Sequence, residues 1–123
     1  MQHQRIHGRR WGLALTAALA LLTGCGSTER VSFSGDVQPI FDNKCTSCHP
    51  VSFPQLDLRR GRSYRQLVGV GASNDPAFTR VVPGNPDYSW LIVHVPDPRL
   101  VGLLNPMESA TIRRWISEGA PDN

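Results

Sequence analysis

The residues best equipped for chemistry fall in one short run, Cys45-Thr46-Ser47-Cys48-His49. In a C-x-x-C-H, the two intervening residues set the sulfurs where they can form thioethers with the two vinyl groups of a haem. The next residue then projects an imidazole at the iron. In an exported chain this spacing points to one covalent haem c, tethered by Cys45 and Cys48, with His49 as the proximal iron ligand. Two plainer readings compete with it. A C-x-x-C can be a redox dithiol or half of a zinc site. A structural zinc takes four ligands, and Cys45, Cys48 and His49 supply only three. A thioredoxin-like dithiol sits in a βαβ unit, and no such pattern surrounds this one.

The start of the chain addresses the question of export. Arg5, Arg9 and Arg10 form a positive segment ahead of an apolar run from Trp11 to Leu22. That run is short for a membrane span and reads as the core of a signal peptide. It ends in Leu22-Thr23-Gly24-Cys25, which resembles a bacterial lipoprotein cleavage box. The expectation is a signal peptide over 1–24 and a lipidated Cys25, against the plainer reading of an ordinary cleaved signal whose cysteine is incidental. Arg9-Arg10 is only a weak match to a twin-arginine signal. With Cys25 given to lipid and Cys45 and Cys48 to haem, all three cysteines are used and no disulfide is left to form. Gly26 rather than Asp follows Cys25, which resembles outer-membrane sorting in a Gram-negative cell. The expected location is therefore a periplasm-facing lipoprotein, attached to the membrane through its N-terminal lipid.

Removing the signal peptide also changes the charge. The whole chain carries a formal +3, but the three basic residues leave with residues 1–24 and no acid does. Residues 25–123 then hold ten basic and ten acidic side chains, a formal charge of zero. The high isoelectric point therefore gives no reason to expect a nucleic-acid partner. One basic cluster remains, Arg59, Arg60, Arg62 and Arg65, which reads as a solvated face. It can alternatively meet a haem propionate or an acidic redox partner.

The remainder is one small domain, 34–123, behind a tether over 25–33. Its eight residues after Cys25, 26–33, reach at most roughly 26–29 Å when extended, so the domain is expected to stay close to the membrane. Asp36 reads as the N-cap of a first helix with Val37, Ile40, Phe41 and Lys44 at helical spacing and Pro39 in its first turn. That helix leads straight into the C-x-x-C-H. Ser63-Tyr64-Arg65-Gln66 has the pattern of a capping box for a short helix through Val68, ended by Gly69 and Gly71. Asn85-Pro86 and Asn105-Pro106 repeat one device, an Asn cap with Pro at the first helical position. The first predicts a helix through Trp90 and His94, although Leu91-Ile92-Val93 also suits a strand. The second opens the C-terminal helix. Glu108 is near a capping box there, Ile112, Trp115 and Ile116 form the buried stripe, Arg114 and Glu118 are an i,i+4 pair, and Gly119 is the stop.

With these motifs in place, residues 33–123 resemble the cytochrome c-like domain of bacterial exported proteins, including planctomycete-type cytochromes. Asp36-Val37-Gln38-Pro39-Ile40-Phe41 followed by Cys45 to His49 is similar to that family's haem-bearing helix and motif. Gln55-Leu56-Asp57-Leu58 is similar to its G-L-D-L segment, with Gln55 in place of glycine. Tyr64 to Val68, Arg80 to Pro86, and Ile112 to Ile116 with Gly119-Ala120-Pro121 follow its order. The resemblance implies an all-α fold with crossed N- and C-terminal helices around a covalent haem, and Phe41 and Trp115 as partners at the crossing. It also exposes a departure. The family places Met-Pro before the last helix, and that Met is the sixth iron ligand; the equivalent pair here is Asp97-Pro98. Asp97 is not expected to ligate. Met107 is the only methionine left in the mature chain. It sits about 130° around the helix from the Ile112–Trp115–Ile116 stripe and can reach the iron if that helix begins later. His94 is the other candidate sixth ligand.

The expected function is a membrane-anchored monohaem cytochrome that carries electrons between redox partner proteins. It is expected not to be an enzyme, since no paired carboxylates or nucleophile–base set appears. The alternative is a five-coordinate haem sensor or peroxidase-like protein with an open sixth site, and a haem-free interaction module is a third class.

Overall fold

The computed structural model describes residues 29–94 and 102–123. The expected signal peptide over 1–24, Cys25 and the Asp97-Pro98 pair lie outside them. The described residues are helical and form no strand. A π-helical turn, Phe33–Val37, runs into α1 (Gln38–Lys44); α2 (Ser63–Leu67), a 3₁₀ turn (Pro86–Tyr88), α3 (Trp90–His94) and α4 (Pro106–Ser117) follow. Only isolated β-bridges, Val68–Val81, Gly71–Thr79 and Thr79–Ser89, pin the loops to one another.

The first helix starts earlier than Asp36. Ser32 is the cap: its Oγ accepts the Gly35 N–H at 3.0 Å, and the Asp36 carboxylate reaches back to the Ser32 N–H at 2.8 Å. This is a reciprocal cap stretched by one residue, because the first turn is wound i→i+5, with Val37 N–H on the Ser32 carbonyl at 3.2 Å. Pro39 stands in the first turn of α1, as expected, but the π-helical turn runs ahead of it. A proline there has no N–H to give, and the wide turn relieves its ring. The Ser34 carbonyl, which Pro39 would otherwise serve, accepts from the Arg60 guanidinium at 3.2 Å.

Two expected caps are not formed. Ser63 and Gln66 do not close a box on α2. The Ser63 hydroxyl donates to the Gln38 side-chain oxygen, and Gln66 Oε1 accepts the Asp57 N–H at 2.7 Å. Gln38 is fully buried, and its amide nitrogen donates to the Leu58 carbonyl at 2.9 Å and to Asp42 at 2.8 Å. Tertiary partners thus outbid the local ones at α2. Asn85 does not cap with its side chain either. Its carbonyl accepts the hydroxyl of buried Ser89 at 2.9 Å, and extended Ser89 divides the expected single helix into the 3₁₀ turn and α3. The first N–H groups of α3 go to the Thr79 and Arg80 carbonyls, at 2.9 and 3.0 Å.

The C-terminal helix forms as its sequence predicts. Asn105 Oδ1 accepts the Glu108 N–H, and Glu108 Oε2 accepts the Asn105 N–H, both at 2.8 Å. Gly119, at φ +98°, lets the Ala120 N–H return to the Trp115 carbonyl at 2.9 Å and end the helix. Ile112, Trp115 and Ile116 are buried, and α4 packs on the π-helical turn. The ring that meets Trp115 there is Phe33, 5.1 Å away, with Phe41 6.3 Å beyond Phe33 and Tyr64 5.2 Å from it. Val31 and Phe33, assigned from the sequence to the tether, are both in this core.

Ser63→Ala should lower the stability of the domain by about 1–3 kcal/mol, since it leaves the Gln38 side-chain oxygen buried without its donor. Chemical denaturation of the two proteins measures this.

Candidate functional site

α1 ends at Lys44, and the C-x-x-C-H follows it directly in hydrogen-bonded turns. The Cys45 N–H bonds to the Phe41 carbonyl at 2.8 Å and the His49 N–H to the Cys45 carbonyl at 2.8 Å. Ser52 and Phe53 N–H groups then share the Cys48 carbonyl at 2.8 and 3.0 Å, and the Thr46 hydroxyl bonds back to the Asp42 carbonyl at 2.8 Å. These tight turns hold Cys45, Cys48 and His49 on one rigid corner.

Both thiols of that corner are free, but their settings differ. Cys48 is exposed and Cys45 is half-buried. Burial pushes the Cys45 thiol up to about 11, with Cys48 and the Glu108 carboxylate adding to the effect. Cys45 thus stays a neutral thiol near pH 7. Glu108 comes from the first turn of α4 and also meets Lys44 at 3.7 Å, so the end of α1 and the start of α4 are joined beside the motif.

His49 lies half-buried against the Phe53 ring, 5.1 Å between centroids. Its Nδ1 is fully buried and has no hydrogen-bond partner. Burial, then the charges of His94 and Arg80, push its proton affinity down, with the Leu56 backbone acting in the opposite sense. The imidazole is therefore kept neutral, the form in which histidine binds a metal. Two tethering thiols and a neutral adjacent imidazole suit a covalent haem. Among the described residues, no group of three or more His, Cys, Asp and Glu side chains is arranged to hold a bare metal ion.

Of the two candidates for the far side of an iron, His94 ends α3 and stacks on Trp90, with centroids 5.7 Å apart and planes 20° apart. Trp90 in turn packs on Phe78 at 5.0 Å. His94 is near enough to His49 to act on its charge. Met107 lies in the first turn of α4, which begins at Pro106 and no later, and its side chain is 78% exposed.

The basic cluster divides. Arg59 and Arg62 both pair with Asp57, at 2.6 and 3.5 Å, and Arg60 pairs with Asp42 at 3.1 Å. The Arg59 guanidinium holds the Asp57 carboxyl down to about 2. Among the described residues, Arg65 makes only a long bond to the Gly61 carbonyl, 3.4 Å.

Sequence reasoning placed Arg80 in a segment that follows the family's order but missed its burial. Arg80 is 8% exposed, and its guanidinium donates to three neutral oxygens: the Gln66 carbonyl at 2.8 Å, the Gln55 carbonyl at 3.1 Å and Ser73 Oγ at 2.8 Å. Among the described residues no carboxylate pairs with it. A lone arginine ahead of Val81-Val82-Pro83 carries no sequence signal of burial. Also unforeseen is an open cavity of about 380 Å³ between α3 and α4, lined by Leu91, Ile92, Val93, Leu104 and Ile112 together with the polar Asp87, Ser109 and Arg113.

Comparison with family models, with curated proteins and with solved structures finds no match to this chain.

The contrast between the two thiols is measurable in haem-free protein. Brief iodoacetamide treatment near pH 7.5 should modify Cys48 well before Cys45, as read by peptide mass mapping. Equal rates would contradict the burial of Cys45.

Proposed function

We propose that this protein is a membrane-anchored c-type cytochrome that carries single electrons, with one haem c held by Cys45 and Cys48 and ligated by His49. The observation that carries the reading is the Cys45–His49 corner: two free thiols and a neutral imidazole in one rigid turn at the end of α1. The helical fold of the described residues is compatible with a cytochrome c-like domain. So is the packing of α4 on the first helical segment through Phe33 and Trp115.

When bound, the haem supplies a one-electron iron couple, and the chain sets the conditions around it. Cys45 and Cys48 fix the porphyrin to the corner. Phe53 and burial keep His49 oriented and neutral. Lys44 and Glu108 join the corner to α4. The proposed setting is an exported lipoprotein held through Cys25, facing the periplasm, with redox proteins as partners. Its function needs no acid–base or nucleophilic catalysis.

Two side chains compete for the sixth position. His94 is supported by the effect of its charge on His49, and Met107 by a largely exposed thioether whose neighbour Glu108 acts on Cys45. The exposure of Met107 also favours a second reading, a five-coordinate haem protein that binds a small ligand or reacts with peroxide.

Protein matured in cells that attach haem should carry one haem mass that survives denaturation and is lost in Cys45→Ala/Cys48→Ala. A mature wild-type chain with no adduct would sink the proposal.

Visible spectra of that holoprotein assign the sixth ligand. Conversion to high spin by His94→Ala alone identifies the histidine. Loss of a weak far-red sulfur–iron band in Met107→Ala identifies the thioether. A spin state that neither substitution changes, with ready carbon monoxide binding by the reduced protein, selects the open site.

A further inference from the structure

Arg80 is the most unusual charged group among the described residues. A buried guanidinium normally meets a carboxylate, because three carbonyl or hydroxyl oxygens satisfy its hydrogen bonds without cancelling its charge. Here the neutral oxygens are what it has, and burial pushes its proton affinity down. An arginine nevertheless stays protonated, so the charge is permanent.

Its position connects the two histidines. The guanidinium holds the Gln55 carbonyl at 3.1 Å, two residues after Phe53, whose ring packs on His49 at 5.1 Å. The Arg80 carbonyl accepts the Leu91 N–H at 3.0 Å and so anchors α3, the helix that ends in His94. One residue thus supports the loop beside His49 and the helix carrying His94, and its own fixed positive charge is buried.

We propose that Arg80 is a positioning residue whose buried charge raises the reduction potential of the haem held by His49. The inference rests on the haem reading above. A nearby cation opposes the extra positive charge of ferric iron and so favours the ferrous state. The effect survives because a partly dry interior screens charge far less than water. Exposed Arg59, Arg60 and Arg62 are paired with carboxylates and screened by solvent, and contribute much less.

The test is spectroelectrochemical titration of holoprotein, with the covalent adduct first verified by denaturing mass spectrometry. Arg80→Gln should lower the equilibrium constant for reduction by about tenfold, which is about 59 mV for one electron. Arg80→Lys separates charge from shape. At low pH it should match wild type. As pH rises and the buried amine loses its proton, its potential should fall toward that of Arg80→Gln. His94 is the other charged group acting on His49 among the described residues. His94 is present in all three proteins, so a pH step that only Arg80→Lys adds belongs to position 80. Arg80→Gln carrying haem at the wild-type potential would overturn the inference and leave the haem reading intact. If Arg80→Gln does not fold, Arg80→Lys decides alone: an added pH step supports the inference and its absence overturns it. Wild-type protein without covalent haem would instead overturn the haem reading itself.

Discussion

The structure depends on closure between the two ends of the described chain. Phe33 meets Trp115 at 5.1 Å, and polar bonds seal the same contact on both sides. Glu118 accepts the Val31 N–H at 2.9 Å, and Asn123 takes the first free N–H groups of the helix, Phe33 through Oδ1 at 2.8 Å and Ser34 through its carbonyl at 2.9 Å. A helix start needs partners for its unsatisfied donors, and here distant residues provide them. The segment between these ends is mostly loop, so its order has to come from what the closed ends offer it. Tyr64 shows how: its hydroxyl bonds to the Ala120 carbonyl at 2.9 Å, and its ring lies 5.2 Å from Phe33.

Two buried polar knots do the rest of the ordering. Gln38 gathers α1, the Leu58 loop and α2 around one amide. Arg80 gathers the carbonyls of Gln55 and Gln66 and the hydroxyl of Ser73 around one guanidinium. Each group has several hydrogen bonds to offer in fixed directions, so each can hold loops that have no ladder of their own. The knots differ electrically. The Gln38 knot is neutral and needs only satisfied partners, whereas the Arg80 knot retains its charge among neutral oxygens.

The Cys45–His49 corner inherits its rigidity from α1 and its electrostatics from elsewhere in the chain. Backbone bonds from Phe41 to Phe53 set its shape locally. The neutral state of His49 comes from burial and from charges on α3 and on the Arg80 segment, and the raised thiol of Cys45 is influenced by Glu108 on α4. A sequence motif thus acquires its chemical state from residues far from it along the chain.

Features set by nearest neighbours were legible in the sequence. The C-x-x-C-H spacing, the Asn105–Glu108 capping box, the Ile112–Trp115–Ile116 stripe and the Gly119 stop all depend on contacts within a turn or two, where backbone geometry leaves little choice. Features that involve a choice of partner were decided only by tertiary structure. Ser63 and Gln66 read as a capping box, but Gln38 and Asp57 offered them buried partners instead. Asp36 read as a cap, but Ser32 took that role once Asn123 could serve the first donors of an earlier turn. Asn85 read as the cap of one helix, but Ser89 and the Thr79–Arg80 carbonyls divided it into two. Arg80 had no local signature, because a buried charge is defined by what surrounds it in space. A polar side chain can bond locally or at a distance, and only the folded chain shows which partner is buried with it.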